Sequence, residues 1–388
     1  MRPFPTLIFA LLITCAARAQ WTPEVRGQLM GLTPRYQALD TPGLATFWGG
    51  YRRWKKFSDN RSKPTAWKSG QFHTGELPIY FSPQDKAAPL LVFMPGIFGE
   101  TSRGLTPPTI EMLEALGMHL LVVPNVISTE YIRARPRYEG DVVAAQVAVM
   151  EQLLDQALAK LGARATEVHV LAESLGTAVG SAWGAHDANT RRRIVSLTLL
   201  HPPQDLPVAM KNFDIIIEAH RPWLGRCGAP NMFLRLIEGF MLKDVPSNLT
   251  VEEKKCFGAE VLVKSFLRSA VLNHAAYVET EKISTKFRPN SFTDLFSHYR
   301  PELWQLLEKR DERLTLSHWV KQMHQLGRPH LRILSSQNDF LNDGLSWDEF
   351  RRVTELPAES LIVLPWGGHS GPIGMPEMPG ILAQVYRR

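Results

Sequence analysis

The chain has 388 residues and carries 44 Lys and Arg against 38 Asp and Glu, which gives a formal net charge of +6 at pH 7. So small an excess argues against a polyanionic partner such as nucleic acid, whose binding domains are strongly basic. Hydrophobic residues make up 44% of the chain, a share typical of globular proteins and too high for a disordered one.

The first nineteen residues have the parts of a secretory signal peptide. Arg2 gives a positive start, residues 7–17 form an apolar run, and Ala17-Arg18-Ala19 matches a small-residue cleavage signature. The run is too short to cross roughly 30 Å of hydrocarbon, so we expect no integral membrane span and export to the periplasm or the medium. Lipid attachment at Cys15, within a loose lipobox, stays open as an alternative.

Cleavage after Ala19 would remove Arg2 and Arg18 and lower the net charge by two, to +4. Cys227 and Cys256 would then be the remaining cysteines. In an oxidising compartment they could form a disulfide worth about 3 kcal/mol by loop closure. The sequence leaves this open, because it does not give the distance between the two Cα atoms.

Residues 20–71 carry scattered Pro, Gly and Trp without a regular period and predict an N-terminal arm wrapped over a core. The basic and aromatic run at residues 51–56 is interpreted as a solvated face, with contact to nucleic acid or anionic lipid as the alternative. Residues 72–81 are typical of an antiparallel hairpin that turns at Gly75.

Strands and helices then alternate. Residues 90–94 form a continuous apolar run, as in a strand buried on both faces. Alternation of this kind predicts an α/β fold with a mostly parallel sheet and helices on both faces. The predicted elements are helices over 109–116, 140–161, 175–185 and 381–386, and strands over 119–124, 168–171, 194–200, 331–335 and 361–364.

The alternation stops between residues 205 and 327, which we interpret as a helical cap inserted after strand 6. Residues 232–242, 259–277 and 301–308 are helix-like there. Such an insertion belongs over the carboxyl ends of the strands, where open α/β sheets bind ligands. The core is thereby divided into residues 72–204 and 328–388.

Ser174 stands where a predicted strand turns into a helix, between the small residues Ala172 and Gly176. A nucleophile at such a sharp corner needs small neighbours, because bulkier ones would collide with adjoining elements. The alternative is a serine that caps the helix and has no catalytic role.

A serine nucleophile needs a base, and the base needs an acid to orient it. His369 follows the last predicted strand and two glycines, and Asp339 follows the strand before it. Asp343 is the competing acid, and either aspartate could instead cap a helix. Backbone amides of Leu175, after the serine, and of Ile97, in the loop at residues 95–99, are the candidate oxyanion donors. The alternative for the loop is a plain turn.

These pieces together resemble the α/β-hydrolase family. A-E-S-L-G resembles its nucleophile elbow, P-G-I-F-G its oxyanion loop with Pro95 in place of histidine, Q-N-D its acid turn and G-G-H its histidine loop. The order Ser174, Asp339, His369 matches the order of the triad in that family. The resemblance covers residues 72–204 and 328–388, with residues 205–327 as the variable cap.

The resemblance implies an exported serine hydrolase that cleaves carboxylic esters of small molecules through an acyl-enzyme, with Ser174, His369 and Asp339 as the triad. It implies no cofactor and no metal. His318, His324 and His330 recur every six residues, a spacing that would spread them around a helix. An acyltransferase with the same triad and a non-catalytic binding protein on the same scaffold remain alternatives, and the oligomeric state stays open.

Overall fold

The structure, a computed structural model, describes residues 20–36, 64–102, 106–137, 141–225, 250–259, 263–281, 289–327, 330–369, 371, 373 and 375–386. The predicted signal peptide, the run at residues 51–56, the helix-like stretch at 232–242 and Cys227 lie outside the described residues. Cys256 is disulfide-bonded.

Eight strands form one sheet in the order β1-β2-β4-β3-β5-β6-β7-β8. The β1–β2 and β2–β4 pairs are antiparallel, and every other neighbouring pair is parallel. The prediction of a mostly parallel sheet is therefore confirmed. The strands are β1 Thr65–Lys68, β2 Glu76–Ser82, β3 Ala88–Met94, β4 His119–Val122, β5 Ala165–Glu173, β6 Ile194–Leu200, β7 His330–Ser336 and β8 Leu361–Leu364.

Helices cover both faces of the sheet, as predicted. The α-helices are α1 Pro23–Leu32, α2 Thr106–Glu114, α3 Thr129–Arg133, α4 Val142–Leu161, α5 Gly176–Thr190, α6 Leu206–His220, α7 Val251–Gly258, α8 Lys264–Glu281, α9 Phe292–Tyr299, α10 Pro301–Glu308, α11 Leu316–Gln325, α12 Trp347–Thr354 and α13 Met378–Tyr386. One apolar core lies between the sheet and α4, α5, α11 and α12. A second core, on the other face, lies under α1, α2 and α13.

The start of the predicted arm lies on this second core. Trp21, Val25 and Leu29 are buried there together with residues of α13 and β8, and the Trp21 indole Nε1 donates a hydrogen bond to the Ile333 carbonyl at 3.1 Å. Helix α1 and the residues before it are therefore held to the sheet by apolar burial and by several long-range hydrogen bonds, among them one from the Arg26 guanidinium to the Leu361 carbonyl of β8 at 3.1 Å.

The hairpin at the edge of the sheet starts earlier than the sequence suggested. Gly75 has φ +72° and precedes β2, but β2 pairs with β1, which lies inside the range of the predicted arm. Phe72 is not paired with β2: its backbone forms an isolated bridge with Pro136, and its buried ring packs edge-on against Tyr131 at 5.2 Å between ring centroids.

Between β6 and β7 the described residues contribute no strand to the sheet and form helices α6 to α11. The helical insertion after strand 6 is therefore confirmed. Helix α11 nevertheless packs on the main core through Leu316, Val320 and Met323, because its strongly one-sided apolar face meets α5.

Among the described helices, the one spanning Val142–Arg164 is long and apolar enough to cross a membrane. Half of its most apolar window is buried inside the protein. It includes α4, which contributes Met150, Leu153 and Leu154 to the core beneath the sheet.

Candidate active site

Ser174 sits at the corner between β5 and α5. Its φ is +51°, a left-handed backbone conformation that residues other than glycine adopt at a cost. The Ser174 amide donates a hydrogen bond to the Leu200 carbonyl of β6 at 2.9 Å, which fixes the corner against the sheet. Ser174 does not cap the helix, since the N-cap of α5 is Leu175 and has no side-chain capping bond.

The corner packs too closely for larger residues. A Cβ added at Gly176 would lie 2.4 Å from the Met94 carbonyl oxygen. This oxygen is a backbone atom, so the main chain itself would have to shift to make room. The Ala172 methyl group fits because it faces Gly180, where an added Cβ would lie 3.0 Å from it. Ala172, two residues before the serine, is thus accommodated by a glycine one turn into the helix.

His369 lies against Ser174 although 195 positions separate them in the sequence. Its Nε2 is 2.6 Å from the Ser174 Oγ. The preceding Gly367 and Gly368 have φ of +150° and +58°, and the Gly368 amide donates to the Asn338 side-chain oxygen at 2.8 Å. The two glycines let the loop leave β8 and fold back, and Asn338 anchors it.

Asp339 is the acid that the structure brings to His369. The His369 Nδ1 lies 3.0 Å and 3.1 Å from the two carboxylate oxygens. Asp339 is also the N-cap of the short helical turn at residues 340–342, where the Leu341 amide donates to Oδ1 at 3.0 Å. Asp343, the competing candidate, is exposed, and its backbone carbonyl accepts a hydrogen bond from Asn212.

Residue Asp339 is 1% exposed. Burial opposes its ionisation, but the electrostatic attraction of His369 and the polar contacts of His201 and His369 outweigh burial and hold the pKa of Asp339 well below its ordinary value. The carboxylate is therefore ionised at neutral pH and acts only as an acceptor. The His369 Nδ1 accordingly carries the hydrogen, which leaves Nε2 free to accept one from Ser174.

The loop at residues 95–99 passes directly beside Ser174. A Cβ added at Gly96 would lie 3.0 Å from the Ser174 Cβ. The loop is held by Asn125, whose side-chain amide donates to the Pro95 carbonyl at 3.0 Å and whose backbone amide donates to the Gly99 carbonyl at 2.8 Å. It is more than a plain turn, because a buried side chain fixes it from a neighbouring segment.

Ile97 and Leu175 both belong to this corner. Counting only residues that the structure describes, neither backbone amide donates a hydrogen bond to a protein acceptor. Unpaired amides of this kind are expected at a helix N-terminus, where Leu175 lies. Two donors are thereby available next to the serine.

His201 is a residue of the site that the sequence reasoning missed. It follows β6, is fully buried, and its Nδ1 lies 3.7 Å from the Asp339 Oδ2. Its ring also meets the His369 ring edge-on at 5.9 Å. A usable signal was present, because His201 follows a buried strand just as Asp339 and His369 do.

A wall of phenylalanines connects the cap to the site. Phe340 lies 5.7 Å from the His369 ring and 5.6 Å from Phe213 of α6. Phe213 lies 5.5 Å from Phe266 of α8, which in turn lies 6.1 Å from Phe98 of the loop beside the serine. The side chains of Ile97 and Leu175 belong to the same apolar cluster. The surroundings of the serine are therefore mainly apolar.

The three groups His201, Asp339 and His369 have ligand atoms within 4.8 Å of one another, close enough to surround a metal ion. The His369 Nδ1 and the Asp339 carboxylate already bind each other, so an ion between them would displace that hydrogen bond. The arrangement suits proton transfer to and from Ser174 better than it suits metal binding.

Comparison with known proteins found no family model and no curated protein that matches the chain. Solved structures that resemble it include an esterase from Pyrococcus furiosus, 12% identical, with a TM-score of 0.46 and coverage of 86% of this chain and 93% of the other. A proline iminopeptidase from Mycobacterium smegmatis is 14% identical, with a TM-score of 0.44 and coverage of 84% and 98%. Naproxen esterase from Bacillus subtilis is 13% identical, with a TM-score of 0.45 and coverage of 88% and 98%.

The fold itself is identified by features within the chain. The sheet has the order 1-2-4-3-5-6-7-8 with an antiparallel second strand. A serine with positive φ stands at the corner between the fifth strand and a helix. The insertion follows the sixth strand, and an aspartate and a histidine follow the seventh and eighth. The chain therefore has the α/β-hydrolase fold.

Proposed function

We propose that the protein is an exported serine hydrolase that cleaves carboxylic esters through an acyl-enzyme. Two contacts in series support the proposal. The Ser174 Oγ lies 2.6 Å from the His369 Nε2, and the His369 Nδ1 lies 3.0 Å from the Asp339 carboxylate. A hydroxyl, an imidazole and an ionised carboxylate in this order are the parts of a nucleophile activated by a base.

In the first half-reaction, the Ser174 Oγ attacks the acyl carbonyl carbon while the His369 Nε2 accepts the hydroxyl proton. The Asp339 carboxylate stabilises the resulting imidazolium and stays ionised, because its pKa is held below the ordinary range. The imidazolium then gives its proton to the leaving alkoxide oxygen, and the ester C–O bond breaks. In the second half-reaction, water attacks the acyl-enzyme by the same route, which regenerates Ser174.

The amides of Ile97 and Leu175 are proposed to hold the oxyanion that forms in each half-reaction. Each donor of this kind typically contributes about 10²- to 10³-fold in rate. The rigid support for the two amides comes from Asn125 on the loop side and from the first turn of α5 on the other.

The apolar surroundings favour an uncharged acyl group. Ile97, Leu175, Phe98 and Phe213 belong to the apolar cluster that the cap shares with the corner. Burying an unpaired charge among such side chains would cost several kcal/mol. The substrate class is therefore proposed to be small-molecule esters with an apolar acyl part.

Export is proposed from the signal-peptide pattern of residues 1–19. The disulfide at Cys256 supports it, because disulfides persist in oxidising compartments and are rare in the cytosol. The Cys227 pairing stays a prediction, since that residue lies outside the described part of the chain.

A fluorophosphonate probe, which reacts with activated serines, tests the function. The purified chain should be labelled, Ser174→Ala should not be, and Ser181→Ala should be labelled like the parent. Ser181 is the matched control because it is a buried serine of α5 whose hydroxyl has no hydrogen-bond partner among the described residues. No labelling together with no ester turnover would instead indicate a binding protein. Preferential transfer of the acyl group to an added alcohol or amine would indicate an acyltransferase.

A further inference from the structure

The backbone of His201 is tightly held, although His201 is not one of the three residues Ser174, His369 and Asp339 that contact one another in series. It follows the last residue of β6, and its amide donates to the Leu334 carbonyl of β7 at 2.6 Å. Its φ is +50°, a conformation that costs energy for a residue with a side chain. A strained backbone that persists in a fully buried position is held there by its surroundings.

The loops after β6 and β7 are also tied together by buried Asn342. Its side-chain oxygen accepts a hydrogen bond from the Gln204 amide at 2.7 Å, and its side-chain nitrogen donates to the Pro202 carbonyl at 3.0 Å. His201 and Asp339 lie at the start of these two loops. Their relative position is therefore set by the side-chain hydrogen bonds of Asn342 and the backbone hydrogen bond of His201, and not by the His201 and Asp339 side chains alone.

The ring of His201 faces the carboxylate of Asp339. Its Nδ1 is 3.7 Å from Oδ2, which is longer than a hydrogen bond and closes to one with a shift of a few tenths of an ångström. Three titratable groups act on the ring: Asp339, His369 and Glu173. Among the described residues, neither ring nitrogen has another hydrogen-bond partner.

His201 is neutral at physiological pH. Burial lowers its pKa from the ordinary value, and this effect exceeds the opposing attraction of Asp339. A neutral imidazole carries one hydrogen, on one of its two nitrogens. The hydrogen belongs on Nδ1, because a buried N–H facing a carboxylate is stabilised and a bare nitrogen facing it is repelled.

We propose that His201 is a positioning residue that directs its Nδ1 hydrogen to the Asp339 Oδ2 and so holds the carboxylate facing His369. This proposal rests on the proposed function of the triad. The Leu341 amide holds the other oxygen, Oδ1, at 3.0 Å. With one donor on each oxygen, the carboxylate cannot turn away from His369 when the imidazolium forms.

Two variants separate this role from simple packing. His201→Asn keeps an N–H donor and tolerates positive φ, but it leaves a space. His201→Phe keeps a ring and removes the donor. If His201 positions Asp339, His201→Phe should lower kcat about tenfold, the lower range for losing a hydrogen bond to a charged group. KM should stay unchanged, because His201 is fully buried. His201→Asn should retain more activity than His201→Phe.

The pH profile is the readout that packing would not move. Removing the donor concentrates negative charge on Asp339, which favours the imidazolium, so the acidic limb of the kcat profile should shift to higher pH in His201→Phe and stay in place in His201→Asn. Equal losses in both variants with the limb unmoved, or full activity in His201→Phe, would overturn the proposal.

A measurement without turnover keeps the proposal separate from the proposed function. Nitrogen-15 NMR of the ring in the unmodified chain should show His201 neutral with its hydrogen on Nδ1. A hydrogen on Nε2 of His201 would contradict the inference, whether or not the enzyme is active. The measurement needs no variant, so misfolding of a variant does not affect it. If the unmodified chain is not labelled by the probe, the hydrolase function is contradicted. The position of the hydrogen on His201 is not affected by that outcome.

Discussion

Replacing Asp339 with asparagine is the sharpest test of how the site works. The carboxylate accepts from the His369 Nδ1 at 3.0 Å and from the Leu341 amide at 3.0 Å. The asparagine oxygen can keep the Leu341 bond, which leaves the amide NH₂ facing Nδ1. Two donors cannot face each other, so the imidazole should move its hydrogen to Nε2, which then points at Ser174 and cannot accept a proton.

The expected loss is large because the wrong tautomer removes the base altogether. In serine hydrolases, this substitution costs about 10⁴ in kcat, equivalent to about 5.5 kcal/mol of activation free energy. Initial rates on a short-chain nitrophenyl ester, divided by the concentration of folded protein, measure it. Cooperative thermal unfolding of the variant shows that the loss is not misfolding.

Asp343→Asn is the matched control, since Asp343 lies four residues away and is exposed. We expect its rate to stay within about twofold of the parent, as for most surface substitutions. A large loss in Asp343→Asn, or an Asp339→Asn variant that keeps most of its activity, would refute the assignment of the acid.

The remaining predictions concern stability. Gly176→Ala should lower the free energy of unfolding by about 1–3 kcal/mol, because the new methyl group would lie 2.4 Å from the Met94 carbonyl oxygen. Gly27→Ala in α1 should raise the free energy of unfolding by about 0.5–1 kcal/mol, because the added methyl group meets nothing within 4 Å. Thermal or urea unfolding of both variants measures the two changes. Burial lowers the pKa of His201 in the folded chain. Just below the ordinary histidine pKa of about 6.5, the His201 side chain therefore binds a proton in the unfolded chain but not in the folded chain. The free energy of unfolding should then fall by up to about 1.4 kcal/mol for each pH unit of acidification. His201→Asn should remove that part of the slope between pH 6.5 and 5 in urea titrations, and an unchanged slope would show that His201 does not contribute.

Local patterns predicted most of the elements. Apolar runs located β3, β5, β6, β7 and β8, because a parallel strand buried on both faces needs a continuous apolar segment. Helix α10 was predicted with the bounds that the structure has, since a proline opens it and apolar residues recur at helical spacing. The predicted helix over 140–161 begins two residues before α4, whose first residue is Val142 and whose N-cap is Asp141.

Pairing partners could not be read in the same way. β1 was assigned to the arm because its four residues have no distinctive period, and it forms a strand only because β2 offers an edge. Helix α11 was assigned to the cap by its position in the chain, whereas its apolar face packs on the main core. Both depend on contacts between segments that are distant in the sequence.

The sequence by itself determined that small residues surround Ser174 and that polar residues follow the last two strands, because strand ends and sharp turns restrict local residue choice. Only the tertiary structure decided that Asp339 and not Asp343 faces His369, and that His201 joins them. Hydrogen bonds between the ends of neighbouring strands set which side chains meet. Which strands are neighbours depends on the whole sheet, and a short segment of sequence does not carry that information.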